Sequence, residues 1–327
     1  MKKRVFSGIQ PTGDIHIGNY LGAVQRWVAQ QEEYDNIFCI VDLHAITIQQ
    51  DPKELHAKTR ELAGLLMASG IDPERSILFV QSDVPAHSEL AWLLNCTIPM
   101  GWMQRMTQFK EKSDKQREQV SVGLFAYPAL MAADILLYNT EVVPVGDDQK
   151  QHVELARDAA QRFNNIYGET FVLPEPKIAD TGARIMGLDD PTRKMSKSES
   201  GSSHAINLLD QPSTIKKKIM RATTDSFTDV VFDESRPGLY NLLSIYETFT
   251  GETRPAIEAK FAGKGYGDLK KALVEVVTEA IRPVQERYAE LTAEPGHIDA
   301  ILKAGAEKAK PLAEKTIKLV KERIGLG

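Results

Sequence analysis

Two short polar segments contain residue types that bind phosphate groups. His16-Ile17-Gly18-Asn19 follows the first strand-like run, and Lys194-Met195-Ser196-Lys197-Ser198 lies in a polar stretch of the second half. The imidazole of His16 can donate to a phosphate oxygen, and Gly18 lets a ligand approach the backbone because it has no Cβ. The two lysines of the second segment can balance the charge that develops on a departing phosphate. Together the segments predict a site for chemistry at phosphorus.

Each segment by itself also has an ordinary explanation. A histidine near a strand–helix junction is more often structural or merely exposed, and a loop rich in Lys and Ser is more often a solvated surface. The sequence has no GxxxxGK(S/T) loop, no GxGxxG after a strand and no HExxH. The prediction therefore depends on the two segments occurring together in a fold that brings them close.

The elements that must position these segments alternate between strand and helix. Helical spacing is predicted over Gly18–Gln31, Pro52–Ser69, His87–Cys96 and Leu124–Tyr138. Four short strands are predicted, of which the last is Val142–Val145; the others are Arg4–Gln10, Asn36–Asp42 and Ser76–Gln81. This order is typical of an α/β fold with a doubly wound, Rossmann-like parallel sheet, in which ligands bind at the carboxyl ends of the strands.

The second half of the chain changes to helical patterns alone. These cover residues 213–223, 238–250, 266–292 and 297–324. We therefore expect a Rossmann-like domain over residues 1–190, a loop or linker over 191–204 and an all-helical domain over 205–327. The last helix could fold back onto the first domain.

The composition is that of an ordinary globular chain. Of the 327 residues, 42% are hydrophobic and 26% are charged. Cys39 and Cys96 form no CxxC motif or Cys/His cluster, so nothing predicts a zinc or iron–sulfur site. No run approaches the roughly 18 apolar residues of a membrane helix, and Lys2-Lys3-Arg4 lacks the apolar stretch of a signal peptide. The expected location is the cytoplasm, with no membrane partner.

Charge is distributed unevenly along the chain. The net charge is −5, but residues 301–327 carry seven basic and three acidic residues, a local charge of +4. A second basic group contains Lys216, Lys217, Lys218 and Arg221. Basic surfaces on an acidic protein can contact the phosphates of a nucleic acid. The alternative, a solvated helix face, is commoner when nothing else indicates nucleic acid.

The two phosphate-binding segments, in this order, resemble the HIGH and KMSKS signatures of class I aminoacyl-tRNA synthetases. The second signature is complete, and the first has the HIGN form common in the tryptophan and tyrosine branch. Further segments over essentially the whole chain are similar to the bacterial tryptophanyl-tRNA synthetases. They are Phe6–Gly13, His16–Tyr20, Val41–Thr47, Arg105–Ser113, Met131–Tyr138, Val143–His152, Gly182–Met186, Gly263–Gly267 and Gln285–Tyr288.

Two departures from the family pattern are visible. Asp147 stands where the family usually has Glu, and Gly101-Trp102-Met103-Gln104 replaces a more usual Gly-Glu-Leu-x. The second departure lies near the dimer contact that the resemblance implies, so it leaves the dimer geometry open. Asp134 and both loop lysines are intact, so the departures do not affect the expected activity.

The resemblance implies a set of residues for ATP and catalysis. His16, Lys112, Lys194 and Lys197 would be catalytic, with the three lysines around the phosphates. Asp148 would contact the ribose, and Met195 would lie near adenine. The ATP site as a whole would contain Gln10, Pro11, Thr12, Gly18, Asn19, Gly146, Asp147, Asp148, Gln149, Ile185, Lys194, Met195, Ser196, Lys197 and Ser198.

The resemblance also implies the amino-acid pocket and the reaction. L-Tryptophan would be activated by ATP, with Mg²⁺ carried by the phosphates and no tightly bound metal, and then transferred to tRNA(Trp) by a homodimer. His44, Tyr127 and Gln149 would hold the α-amino group. The residues expected around tryptophan are Phe6, His44, Tyr127, Met131, Asp134, Val145 and Gln149.

The position of Asp134 supports this pocket on physical grounds. Tyr127, Met131 and Asp134 are spaced at i, i+4 and i+7, which places them on one face of a helix. A carboxylate in an apolar stripe costs several kcal/mol unless it has a donor. The indole N–H of tryptophan is one such donor. A structural ion pair or a helix cap explains the same pattern equally well.

Three alternatives stay open on the sequence. A tyrosyl-tRNA synthetase shares the fold and both signatures, but the Asp134 segment and residues 146–152 argue against it. A small-molecule nucleotidyltransferase would not need the long helical part. A non-catalytic relative that binds tryptophan or RNA is disfavoured because the lysine segment is complete.

Overall fold

A parallel sheet of five strands forms the centre of the first half. The computed structural model describes residues 2–106, 120–146, 149–178, 184–196 and 203–326. The spatial order of the strands is β3-β2-β1-β4-β5, and every pair is parallel. This order reverses between β1 and β4, as in Rossmann-type sheets, and confirms the predicted fold class. The strands are β1 Arg4–Ile9, β2 Asp35–Ile40, β3 Ile77–Val80, β4 Val142–Val145 and β5 Glu175–Ile178.

The strand β5 corrects the expectation that Val142–Val145 is the last strand. β5 pairs with β4 along its whole length, with Val142 opposite Glu175 and Val145 opposite Ile178. Its sequence Glu-Pro-Lys-Ile has no apolar run, and a proline removes one backbone donor. Such a strand is tolerated at a sheet edge, where only one side is paired, and β5 is at the edge.

Alternate residues of the central strands face two separate hydrophobic cores. In β2, Phe38 and Ile40 pack in the first core, while Ile37 and Cys39 pack in the second. This follows from the two-residue period of a strand, which points successive side chains to opposite faces. Both faces are covered, so the strands are apolar throughout rather than alternating.

Helices cover both faces of the sheet. The first is interrupted: α1 Ile17–Asn19 passes through a π-helical turn, Tyr20–Val24, into α2 Gln25–Gln30. The next helices are α3 Asp42–Ala45, α4 Pro52–Ala68, α5 Ala86–Asn95, α6 Met100–Gln104, α7 Val122–Leu136 and α8 Lys150–Tyr167. The sequence pattern did not indicate α8, although the helix is amphipathic and buries Val153, Ala156 and Phe163.

The second half is helical in the described ranges, as expected. Its helices are α9 Pro212–Met220, α10 Pro237–Thr250, α11 Arg254–Phe261, α12 Tyr266–Thr292 and α13 His297–Ile324. The helix α11 was not predicted, because Pro255 reads as a break. Pro255 instead lies in the first turn of α11, where the backbone N–H groups have no partner within the helix and none is missed.

The last helix lies along the open edge of the sheet. α13 contacts β3, the strand at one end of the strand order, as well as α4 and α5. Gly305 allows the contact: a Cβ at this position would lie 1.8 Å from the carbonyl oxygen of Leu78 in β3. A helix therefore covers an edge that would otherwise offer its backbone to another strand. The predicted boundaries at residues 190 and 204 stay predictions.

Within the ranges described, every helix is too short or too polar to cross a lipid bilayer.

Candidate active site

The candidate site lies at the carboxyl ends of the parallel strands. β1 ends at Ile9 and β4 at Val145, and these two strands are neighbours at the point where the strand order reverses. Helices leave the sheet in opposite directions at such a point, which opens a crevice for a ligand. Gln10, Pro11 and Thr12 follow β1 directly, and Gly146 and Gln149 follow β4.

The HIGN segment forms the start of the first helix. His16 is the N-cap: its Nδ1 accepts from the backbone N–H of Asn19 at 3.3 Å, and the Asn19 side chain accepts from the backbone N–H of His16. Because Nδ1 accepts, the proton of the neutral imidazole is on Nε2. The cap fixes the ring, and the helix N-terminus beside it favours negative charge.

The first half of the lysine segment is held next to this helix start. The backbone N–H of Met195 donates to Ile185 at 3.1 Å, and Lys194 is bridged to Met186 in an antiparallel arrangement. A Cβ added to Gly18 would lie 3.6 Å from the Met195 Cβ. The two sequence segments that predict phosphate chemistry are therefore neighbours in space, although about 175 positions separate them in the chain. Lys194 itself is exposed.

The chain that follows the lysine segment is pinned to the same helix start. Ile17 donates its backbone N–H to Ile206 at 2.9 Å, and Leu208 donates to Ile15 at 2.8 Å. His204 reaches back, with its Nε2 3.2 Å from the Lys194 carbonyl oxygen. The described residues at the start of the segment and those from His204 onward are thus held beside the HIGN helix.

Asp134 is the centre of a buried hydrogen-bond network on the other face of the sheet. His44 Nε2 donates to its Oδ2 at 2.8 Å. Its Oδ1 accepts from Gln81 Nε2 at 2.6 Å and from His87 Nδ1 at 2.6 Å. The far nitrogen of His87, Nε2, lies 2.7 Å from the Tyr138 hydroxyl. All five side chains are buried.

These contacts explain the ionisation of the network. Burial by itself would raise the pKa of Asp134, but hydrogen bonds from His44 and His87 outweigh it and hold that pKa below its ordinary value. Burial, followed by the nearby Cys39 and Asp134, raises the pKa of Tyr138. Asp134 is therefore an anion and Tyr138 a neutral phenol at neutral pH.

The network decides between the explanations that the spacing of Asp134 left open. That spacing was explained equally well by a ligand donor such as an indole N–H and by a structural ion pair or cap. The protein itself supplies three donors, so Asp134 is not unpaired when the pocket is empty. The physical reason is that the ends of β2 and β3 bring His44 and Gln81 to the same point as α7, which spacing along one helix cannot reveal.

Four other residues expected around the amino acid lie on the helix of Asp134 or belong to the core against which that helix packs. Tyr127 is buried on the same helix, with its hydroxyl 2.6 Å from His152 Nε2. Phe6, Met131 and Val145 belong to or pack against the core that contains this helix. Met131 and Val145 are only partly buried, as the wall of a pocket would be.

Five of the expected site residues lie outside the described residues. They are Lys112, Asp147, Asp148, Lys197 and Ser198. Among the others, Ile185 and Met195 are buried and Ser196 is partly buried. Their assignments to ATP or tryptophan stay predictions.

Sequence reasoning missed four members of the site: Gln81, His87, Tyr138 and His152. Gln81 follows β3 directly, and a polar residue at the end of a buried strand was a usable signal. His87 and His152 are single histidines in helical stretches, which by themselves are more often structural. Tyr138 lies just beyond α7, so its relation to His87 is decided by tertiary packing.

No group of three or more His, Cys, Asp or Glu side chains that could hold a metal ion occurs among the described residues. Both cysteines are free thiols.

Most of the chain matches a known family of enzymes. The family model for tRNA synthetases class I (W and Y) matches residues 1–282. The tryptophan–tRNA ligase of Wolinella succinogenes is 61% identical over 326 residues, which cover 100% of this chain and 99% of that protein.

Solved structures agree with the sequence comparisons. The crystal structure of tryptophanyl-tRNA synthetase from Mycoplasma pneumoniae has a TM-score of 0.90 and 38% identity, covering 100% of this chain and 99% of that one. The Campylobacter jejuni tryptophanyl-tRNA synthetase, complexed with ADP and tryptophan, has a TM-score of 0.88 and 39% identity, covering 99% of this chain and 100% of that one.

Proposed function

The chain belongs to the class I tRNA synthetases for tryptophan and tyrosine, and on that premise we propose how its residues perform tryptophan–tRNA ligation. The enzyme is a tryptophan–tRNA ligase, as are its relatives at 51–61% identity over essentially the full length. A carboxylate oxygen of tryptophan attacks the α-phosphorus of ATP, and pyrophosphate leaves. A ribose hydroxyl at the 3′ end of tRNA then attacks the carbonyl carbon of the adenylate, and AMP leaves.

ATP would bind between the HIGN helix start and the lysine segment. The observation that carries this proposal is the closeness of Gly18 to Met195, whose Cβ would lie 3.6 Å from a Cβ added to Gly18. The capped helix start offers positive potential, and Lys194 is exposed beside it. Catalysis would consist of positioning the triphosphate and balancing its charge, with Mg²⁺ arriving as part of the ATP substrate.

Tryptophan would bind against Asp134. Its indole N–H can donate to Oδ2, which within the described chain accepts one hydrogen bond, from His44. Tyr127 and Met131 would contact the ring and the amino-acid backbone from the same helix. Because His44 uses Nε2 for Asp134, a contact with the bound amino acid would come from its other ring nitrogen.

A homodimer would bury the exposed apolar side chains of the helices α5–α7. Trp92, Met100 and Val122 are 68%, 66% and 82% exposed. Exposed apolar groups of this size on neighbouring helices are unusual for a monomer. Sedimentation of Trp92→Lys should show monomers where the wild type is dimeric, while Leu326→Lys, at an exposed site near the carboxyl end, should not change the mass. A monomeric wild type would refute the proposal.

The free thiols and the absence of a spanning helix in the described ranges support a location in the cytoplasm, which is reducing.

The test of the function is ATP–pyrophosphate exchange with each amino acid supplied in turn. Tryptophan should support exchange, and tRNA(Trp) should then accept it. Exchange that prefers tyrosine would overturn the proposed use of the pocket.

A further inference from the structure

The two oxygens of Asp134 are used unequally. Oδ1 accepts two hydrogen bonds, from Gln81 and His87, whereas Oδ2 accepts one, from His44, within the described chain. A carboxylate oxygen accepts about two hydrogen bonds. Oδ1 is therefore saturated by protein groups, and Oδ2 keeps one position for another donor.

The proton arrangement of His87 follows from its two neighbours. Its Nδ1 faces an anionic carboxylate oxygen, so it carries the N–H. In the neutral imidazole, which has a single N–H, Nε2 accepts, and the Tyr138 hydroxyl at 2.7 Å is the donor. Tyr138 and His87 are both fully buried. The hydrogen bonds thus run in one direction, from Tyr138 through His87 to Asp134.

Packing fixes the same groups. The His87 ring lies 5.8 Å from the Phe79 ring and 5.5 Å from the Tyr138 ring, centroid to centroid. Gln81 cannot flip its amide, because its Oε1 accepts from the Leu43 backbone N–H at 3.1 Å. Neither donor to Oδ1 can therefore turn away without leaving a buried polar group unpaired.

We propose that His87, held by Tyr138, is a positioning residue for amino-acid selection: together with Gln81 it saturates Oδ1 of Asp134 and leaves Oδ2 to accept the indole N–H. The proposal rests on the proposed use of Asp134 in tryptophan binding. Without His87, only Gln81 and His44 hold the carboxylate, so it can turn more easily, or take up a proton and become a donor itself. Either change removes the requirement for an N–H on the substrate.

The experiment compares tryptophan with its isostere in which sulfur replaces the indole N–H. The readout is the ratio of kcat/KM for the two substrates in pyrophosphate exchange. The ratio in the wild type should be about 10–100, the range for one hydrogen bond to a charged group. A purely structural loss would lower both rates together and leave this ratio unchanged.

Two variants of His87 test the roles of its ring nitrogens Nδ1 and Nε2 separately. His87→Asn keeps an N–H donor where Nδ1 was, and its ratio should stay within about threefold of the wild type. His87→Gln reaches the Nε2 position but offers Asp134 no donor, so its ratio should fall toward one. His56→Leu, at an exposed histidine of α4, is the control and should leave the ratio unchanged.

The pH dependence gives a second readout on the same variants. As the pH falls, whatever preference for tryptophan over the sulfur isostere remains in His87→Gln should disappear at a higher pH than in the wild type. The reason is that Asp134 has lost a donor that favours its ionised form, so it takes up a proton more easily. Equal ratios and equal pH profiles for His87→Asn and His87→Gln would overturn the proposal.

Failure of the underlying function gives a different result. If the wild type does not exchange with tryptophan, the proposed function fails. If the wild type exchanges but Asp134→Ala, which has no acceptor, shows an unchanged ratio, the role of Asp134 fails and the proposal with it. A ratio that falls in Asp134→Ala and persists in His87→Gln would refute the role of His87 alone.

Discussion

At the scale of single residues, selection of the amino acid depends on how Asp134 is already satisfied. Since three protein donors pair it, a phenylalanine in the pocket would not leave a bare buried anion. The cost is one missing hydrogen bond to a charged group, about 1.5–3 kcal/mol, plus the void left by the smaller ring. Rejection by binding alone therefore combines an electrostatic and a steric part.

Asp134→Asn should reduce kcat/KM for tryptophan less than Asp134→Ala does. The asparagine oxygen can still accept the indole N–H, whereas alanine leaves His44, His87 and Gln81 without their acceptor. Removing the acceptor of buried groups costs about 1–3 kcal/mol for each group, so Asp134→Ala should also lower the melting temperature. Exchange kinetics and thermal denaturation of both variants check this order. Equal activity of the two variants would contradict it.

Lys194→Ala should lower kcat for adenylate formation by about 10²–10³ with little change in the KM for tryptophan. The lysine is exposed beside the HIGN helix start and would act on charge that appears as pyrophosphate leaves. The measurement is single-turnover adenylate formation. Lys271→Ala, at an exposed lysine of α12, is the matched control. A normal rate in Lys194→Ala would remove this residue from the catalytic set.

At the scale of elements, α13 depends on a missing side chain. Gly305→Ala would place a methyl group 1.8 Å from the Leu78 carbonyl oxygen. The usual gain from alanine in a helix, about 1 kcal/mol, should be outweighed by overpacking of about 1–3 kcal/mol or more. We expect a lower melting temperature. In Gly267→Ala the new methyl group meets nothing within 4 Å, so this control should be neutral or slightly stabilising. The reverse order would show that α13 shifts freely along β3.

A second element-scale prediction concerns acid stability. Hydrogen bonds from Arg236, and then from Tyr266, lower the pKa of Asp225 to about 2 against the effect of burial. Because the folded pKa lies below the ordinary 3.8, the ionised form stabilises the fold above that pH, and the contribution is lost as pH falls toward 2. These contacts tie the chain before α10 to the start of α12.

Asp225→Asn should therefore melt at a lower temperature than the wild type near pH 6, and the difference should narrow below about pH 4. Thermal denaturation from pH 6 to pH 3 measures it. Asp268→Asn removes an exposed ion pair with Lys271 and should show almost no difference at any pH. A difference in melting temperature between Asp225→Asn and the wild type that does not change with pH would refute the lowered pKa of Asp225.

At the scale of the whole molecule, the structure distinguishes basic residues that are held in ion pairs from exposed ones that could contact tRNA. Lys218 is buried and pairs with Asp210 at 2.6 Å, so it is not available to phosphates. Lys321 pairs with Glu89 across the α13–α5 contact. Exposed basic residues remain on α9, directly after it and on α13; among them are Lys216, Lys217, Arg221, Lys315 and Lys318.

Reversing the charges of Lys216, Lys217 and Arg221 should weaken aminoacylation and leave pyrophosphate exchange intact. Each lost phosphate contact should also reduce the slope of the logarithm of the tRNA binding constant against the logarithm of the salt concentration by about one. Reversing Lys315 and Lys318 tests the second face in the same way. If tRNA affinity and its salt dependence are unchanged in both sets, these faces are solvated surface and tRNA contacts other residues.

The sequence by itself determined the fold class, the family resemblance and the two signature segments. Local patterns were sufficient for these, because strand and helix periods, glycine positions and motif order are properties of neighbouring residues. The proline-containing strand β5 and the helix α11 escaped prediction, since their patterns resemble loops until the sheet edge and the helix start are known. The helix α8 was missed although its sequence is amphipathic.

Only the tertiary structure decided what surrounds Asp134 and where α13 lies. His44, Gln81 and His87 come from three separate elements, and their convergence follows from the strand order rather than from any spacing along the chain. Gly305 lies within a predicted helix, and only the contact of that helix with β3 explains why a side chain is excluded there. Contacts between residues far apart in sequence leave no local period, so the donors to a buried carboxylate and the cover of a sheet edge had to be read from the folded chain.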